Sequence, residues 1–325
     1  MKKRVKLLII IAMMLTYLSG CENKRATICT TVYPVKYIIE QLAGNKVDVE
    51  YITEDVFIQR AGMVDNYKSI LEKTTLFVYI GELEPYMDLY ETDIQGYSFD
   101  IINLAQLSAI DKFKRYTTSV TETGMRVVTE SEYYPESEFD LVDVYNKDPF
   151  IWLDPIAMSS IASTIKSWLI EKYPEDTLYY ENSFKALQAD LVRMDVEFRA
   201  LISLDNVRIA TIGATFGNWQ KTYGVEVYPI VLSKYGALPD DKQLAIIKQT
   251  MLNNGVEYIA WDDTLPQEFL DLAETVAEDL NLTKIRISSL SRLSDNDKAK
   301  NKDYMTIMYE NLNALETVFK QNTEE

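Results

Sequence analysis

One long amphipathic stretch constrains this chain more than any other feature. Tyr180, Phe184, Leu187, Leu191, Met194, Phe198 and Leu201 recur at three- and four-residue spacing, which marks a single apolar helical face. Over residues 176–203 such a helix would run roughly 40 Å at 1.5 Å per residue, long enough to pass down two domains. An ordinary core helix has the same stripe, and a helix that bridges a domain pair satisfies both readings. What decides between them is the chain on either side.

Short β-rich runs alternate with helical stretches before and after that helix. In the first half, residues 26–32, 47–52, 76–80 and 101–104 read as strands, with helices over 34–42, opened by Pro34, and over 64–73. Residues 156–172 read as a helix broken by Pro174. In the second half, strands are expected at 207–212, 225–230, 258–261 and 284–287, and helices at 216–223, 240–253, 266–280 and 304–319. Strand–helix–strand order requires crossovers and pairs the strands in parallel. The fold class expected is α/β: two α/β lobes with central parallel sheets joined by one long rigid helix. The expected divisions are 1–20 leader, 21–26 tether, 27–175 first lobe, 176–204 connecting helix and 205–325 second lobe. Residues 117–147, rich in Glu, Asp, Tyr and Thr, show no helical period and read as an irregular insertion with a hairpin around 126–128.

The first twenty residues stand apart. Lys2, Lys3, Arg4 and Lys6 precede an apolar run, residues 7–18, too short for an ordinary membrane span. The run ends in Leu18-Ser19-Gly20-Cys21, which resembles a bacterial lipobox and implies cleavage before Cys21, lipidation of its thiol, and anchoring at the outer face of the cytoplasmic membrane. Losing four basic residues would lower the net charge from −17 by four, to −21. Such an acidic chain is a poor partner for nucleic acid or an anionic membrane surface. Cys29 would then be the one remaining thiol, expected to pack as a small hydrophobe in the first strand. With no histidine, no Ser–His pair and no Gly-rich phosphate loop, the chain is not expected to be an enzyme.

Several motifs, in order, carry a family likeness: Thr30-Thr31-Val32-Tyr33-Pro34, the run from Phe77 through Gly81-Glu82-Leu83-Glu84-Pro85 to Asp88, Trp152-Leu153-Asp154-Pro155, Lys221-Thr222-Tyr223-Gly224-Val225, and Tyr304-Met305-Thr306-Ile307-Met308 with Asn311-Leu312. Together they resemble the extracytoplasmic zinc- and manganese-binding lipoproteins of ABC importers over nearly the whole mature chain. The resemblance implies two lobes bridged by a rigid helix, a metal held between them by four side chains, and an ABC permease as partner. Carried over one at a time, the four ligand positions fall on Gln59, Phe150, Gly213 and Ser291, and none keeps a ligand side chain. The stretch Lys147-Asp148-Pro149-Phe150-Ile151-Trp152-Leu153-Asp154-Pro155 is the clearest case, because Phe150 stands where the family has a histidine.

The inherited cleft would therefore present Gln59, Phe150, Gly213 and Ser291, a neutral and partly aromatic surface suited to a small organic solute. Arg60 and Arg292 beside it would add an anion contact, or would simply be surface residues. Phe150 and Trp152 would serve equally as core packing, and the patch would then be closed. An oxygen-only divalent cation site is the other option, drawing on Asp148, Asp262 and Asp263. Against it, Asp154 before Pro155 resembles a helix N-cap, and Asp263 ahead of Thr264-Leu265-Pro266 would do the same. The expectation is a monomeric, membrane-anchored solute receptor with a degenerate metal site and no firm cofactor. The alternative is a surface adhesion or accessory lipoprotein that binds no small solute.

Overall fold

The computed structural model describes residues 25–53, 57–84, 86–107, 110–121, 123–204 and 207–321. The leader and Cys21 lie outside the described residues. In the first half, β1 (Ala26–Thr30), α1 (Tyr33–Ala43), β2 (Val47–Tyr51), α2 (Tyr67–Leu71), β3 (Thr74–Tyr79), α3 (Met87–Gln95), β4 (Asp100–Asn103) and the single turn α4 (Leu104–Leu107) follow one another. The four strands pair in parallel in the order β2-β1-β3-β4. Ile28, Cys29, Leu76, Phe77 and Val78 are fully buried, as a parallel sheet covered on both faces requires.

An antiparallel hairpin, β5 (Arg115–Val120) with β6 (Arg126–Ser131), precedes helices α5 (Pro155–Lys172) and α6 (Thr177–Phe198). The second sheet follows: β7 (Arg208–Gly213), α7 (Gly217–Tyr223), β8 (Glu226–Val231), α8 (Asp241–Asn253), β9 (Tyr258–Trp261), α9 (Gln267–Leu280), β10 (Thr283–Arg286), α10 (Asp295–Ala299) and α11 (Tyr304–Gln321). It is parallel, in the order β10-β9-β7-β8. Counted from its own first strand, each sheet has the same order, second-first-third-fourth. The chain leaves the first strand to one side and returns to the other, so each lobe opens a crevice at the carboxyl ends of its first and third strands.

Helix α6 touches both lobes. Its 22 residues span roughly 33 Å, and a 3-10 turn extends it through Arg199–Ser203. At its start Lys46 pairs with Asp176 at 2.7 Å. At its end Tyr223 donates to buried Asp195 at 3.0 Å, and Phe198 packs against Trp219 and Tyr223. Tyr180, Leu187, Leu191, Met194 and Phe198 form the buried face.

Three local expectations change. The helix expected over 64–73 shrinks to α2, because residues before it are extended: Thr53 bridges Met63, and Val64 donates to the Ile52 carbonyl at 2.9 Å. Helices α3 and α10 carry too weak an apolar stripe to read from sequence; each buries one side chain, Ile94 and Asp297. The hairpin starts earlier than the insertion, and residues 126–128 lie in its second strand rather than at its turn. Its strands are mostly exposed, so no alternation of apolar residues marks them.

That insertion is a clamp on the second lobe. Arg115 pairs with Glu226 at 3.1 Å and lies over the Tyr228 ring. Buried Gln220 accepts from the Tyr116 N–H and donates to the Lys114 carbonyl and the Tyr133 hydroxyl. Tyr134 donates to the Pro229 carbonyl at 2.7 Å. Tyrosine suits this duty, burying a large ring while its hydroxyl finds a partner.

Residues 147–155 finish the joint. The Trp152 indole N–H donates to the Ser289 carbonyl at 2.8 Å, and the Trp152 carbonyl accepts from the Tyr304 hydroxyl at 2.6 Å. Trp219 Nε1 donates to the Leu153 carbonyl at 2.9 Å, and Asn218 Nδ2 to the Phe150 carbonyl at 3.0 Å. Asp154 caps α5 by accepting from Ile156 and Ala157. Asp148, also buried, accepts from the Phe150 N–H and reaches the Asn218 N–H at the start of α7. A Cβ on Gly217 would come within 2.2 Å of an Asp148 oxygen, so this close approach needs glycine.

Trp152→Phe removes the indole N–H and leaves a void and an unpaired Ser289 carbonyl; it is expected to cost on the order of 2–4 kcal/mol in urea unfolding. Burial pushes the Asp148 carboxyl up from 3.8 to about 7, outweighing its two backbone donors. Its stabilising contribution is therefore complete below about pH 4 and is lost as pH rises through about 7. Asp148→Asn is expected to flatten the fall in melting temperature across that window.

Candidate functional site

The facing carboxyl ends of the two sheets enclose an inner cavity and an outer cleft. Gln59, Phe150 and Ser291 meet at the inner cavity, together with Thr215, Thr264 and Ser289. Its volume is about 10 Å³, room for no more than a single water. Gly213 is not on its wall. Thr215, two residues further along, takes that place, and a Cβ on Gly213 would meet only the Thr215 methyl, at 3.7 Å.

Aromatic packing keeps the cavity small. Phe150 is 1% exposed, its ring edge-on to Trp152 at 5.3 Å and to Tyr145 at 6.1 Å. Across the lobes, Phe57 packs on Phe269 with ring centres 4.8 Å apart. The 3-10 turn Ile58–Arg60 holds Gln59 inward, where its buried Oε1 has no hydrogen-bond partner. Leu290 adopts a left-handed backbone (φ 58°) between Ser289 and Ser291, a strained conformation for a branched side chain. The Ser289 carbonyl meets Trp152, and the Ser291 carbonyl meets the Tyr33 N–H at 3.4 Å.

The two arginines do different work. Arg60 ties the lobes: it bonds the Glu268 carboxylate and the Gly236 carbonyl, and its guanidinium lies 5.1 Å from the Phe269 ring centre. Arg292 is held by the Thr264 carbonyl at 2.7 Å and reaches the walls of both spaces.

The carboxylates weighed as an oxygen-only metal set are not brought together. Asp148 lies at the start of α7. Asp262, buried at the end of β9, accepts from the Thr264 N–H and hydroxyl and from the Ser289 N–H at 2.7 Å. Asp263 faces Arg286 at 3.7 Å and does not cap α9, whose N-cap is Pro266. Adjacent residues at a strand end point apart, which separates this pair. Among the described residues no three His, Cys, Asp or Glu side chains gather in a metal-binding group. The inner cavity offers an amide and hydroxyls beside a guanidinium, whereas zinc takes imidazole, thiolate or carboxylate. These residues do not fit zinc.

The outer cleft, about 660 Å³, lies between α1 and the strand ends of the first lobe and residues 291–298 of the second. Tyr33, Lys36, Tyr51, Arg292 and Lys298 reach its walls. Of these, Arg292 stood out in the sequence as a candidate and Tyr33 only as part of a motif; a lone lysine on an amphipathic helix gives no signal of which cavity it borders. Glu84 was marked only as part of a motif. It is fully buried beneath this region, accepting from Thr31 and from the Ile80 and Gly81 N–H groups, and burial raises its pKa. It pins the loop after β3 to the end of β1.

Comparison with known proteins agrees with this architecture. Residues 28–318 match the family described as zinc-uptake complex component A, periplasmic. A curated relative, the high-affinity zinc uptake system protein ZnuA of Bacillus subtilis, is 22% identical over 90% of this chain and 88% of its own length. The crystal structure of Zn(II)-bound AdcA from Streptococcus pneumoniae superposes with a TM-score of 0.68 at 19% identity, covering 91% of this chain and 58% of that one. A mutant structure of the laminin-binding adhesin Lmb from Streptococcus agalactiae reaches 0.69 at 17% identity, over 91% and 99% of the two chains. At these identities the solved structures speak for the fold alone. With two like-ordered parallel sheets, a bridging helix and a match over residues 28–318, the chain belongs to the periplasmic zinc-uptake component A family.

Proposed function

We propose that this chain is the extracytoplasmic solute receptor of a zinc-type ABC importer in which the inherited metal position no longer coordinates a transition metal. The observation that carries the reading is the lining of the inner cavity: Gln59, Phe150, Thr215 and Ser291 supply no imidazole, thiolate or carboxylate, and Arg292 adds positive charge. A divalent cation there would lose its hydration shell and gain only neutral oxygens beside a like charge. The chain has no histidine to recruit from elsewhere. The solute is then something other than zinc, passed to a permease partner by a monomeric receptor tethered through lipid on Cys21. Among the described residues no helix is long and apolar enough to cross a membrane. The Lmb neighbour shares the scaffold, so the scaffold alone does not separate adhesion from transport. The open cleft between the lobes favours a receptor.

Protein purified without chelator and equilibrated with zinc or manganese is expected to retain far less than one ion per chain by elemental analysis. A stoichiometric transition metal, lost when Ser291 or Gln59 is changed, would refute the reading. In cells, Cys21→Ser is expected to move the protein from the detergent phase to the aqueous phase on Triton X-114 partition. Unchanged partition would refute the lipid tether.

A further inference from the structure

We propose that the outer cleft, and not the inherited metal position, is the solute site, and that it takes a small organic anion with an apolar or aromatic body. The inference rests on the receptor reading above and names the solute class. Its first ground is volume. About 660 Å³ lies within the usual range of small-molecule sites, whereas the inner cavity has space for no more than a water.

Its second ground is charge. On the described walls stand Lys36, Arg292 and Lys298 with Glu40, and Asp295 lies beside Lys298, so three cations meet two carboxylates in a chain of net charge −17. A small excess of cations at one cleft runs against the composition of so acidic a protein. Its three cationic side chains are groups that an anion can bridge and a metal ion cannot use. The cations are also placed. Lys36 is 3.6 Å from Glu40 and 5.0 Å from the Tyr51 ring centre. Arg292 is fixed by the Thr264 carbonyl at 2.7 Å, and Lys298 sits 3.6 Å from Asp295 on α10.

The third ground is where the groups come from. Lys36 stands on α1 in the first lobe, and Arg292 and Lys298 follow β10 in the second. Ile58, Val64 and Leu293 give apolar wall between them, and Tyr33 and Tyr51 give rings on which a flat solute would stack. An anion held by both sides would bridge the two lobes across the cleft.

The test is calorimetric titration of the mature protein, in metal-free buffer, with phenylacetate, phenyl phosphate and the neutral 2-phenylethanol. Saturable binding of either anion and none of the alcohol is expected, and the tighter anion names the headgroup. Lys36→Gln and Lys298→Gln are each expected to weaken it about tenfold, the worth of one charge-assisted hydrogen bond. Exposed Lys185 on α6 lies outside the cleft, and Lys185→Gln is expected to leave binding unchanged. The proposal is overturned if neither anion binds, if the alcohol binds as well as the anions, or if Lys36→Gln and Lys298→Gln both bind like the wild type. A chain that binds no anion and no zinc sinks only this inference. A chain that binds zinc stoichiometrically, and loses it when Ser291 or Gln59 is changed, sinks the non-metal reading of the receptor beneath it.

Discussion

The hydrogen bond from the Trp152 indole to the Ser289 carbonyl, with the Tyr304 hydroxyl on the Trp152 carbonyl, is the constraint on which the rest depends. It joins the segment leading into α5 with the loop after β10 and with the start of α11. All of these atoms are buried, so a break would leave both a donor and an acceptor without water to replace the lost partner. The joint sets the separation of the facing strand ends and hence the size of both spaces between them. The tyrosine-rich insertion, the Arg60 contacts to Glu268 and Gly236, and the Phe57–Phe269 pair add to it from other sides.

A joint tied at so many points favours one relative placement of the lobes. The inner cavity lies against the joint and is filled by Phe150 and its aromatic neighbours. The outer cleft lies between α1 and residues 291–298, where its walls include Lys36 and Lys298 as well as the rings of Tyr33 and Tyr51. The Phe150 ring, packed against Tyr145 and Trp152, takes up the volume that closes the inner space.

Much of the fold was legible because its signals are local. Leu76-Phe77-Val78 is a continuous apolar run, as a parallel strand buried on both faces demands, and it forms the middle of β3. The stripe from Tyr180 to Leu201 forms one helix with a terminal 3-10 turn. Asp154-Pro155 caps α5 as its side chain suggests. The hairpin was poorly placed because the described residues of its second strand are exposed and its first buries only Tyr116, so no alternation marks it, and α10 was missed because five residues carry no period. Asp263 looked like a cap, but the chain turns at Asp262 instead, whose carboxylate takes three donors. Of the four positions onto which the resemblance was carried, Gln59, Phe150 and Ser291 meet at one cavity, while Thr215 stands where Gly213 was expected.

By itself the sequence determined the strand–helix order, the doubled sheet plan, the bridging helix and the want of histidine, because each is written in side chains within one helical turn or one strand. Only the tertiary structure decided that Lys36, Arg292 and Lys298 share one cleft, that Arg60 binds the opposite lobe, and that Asp148 lies on the start of α7. Those meetings join residues tens to hundreds of positions apart. They depend on how two independently formed sheets are set against each other, and no local propensity encodes that arrangement.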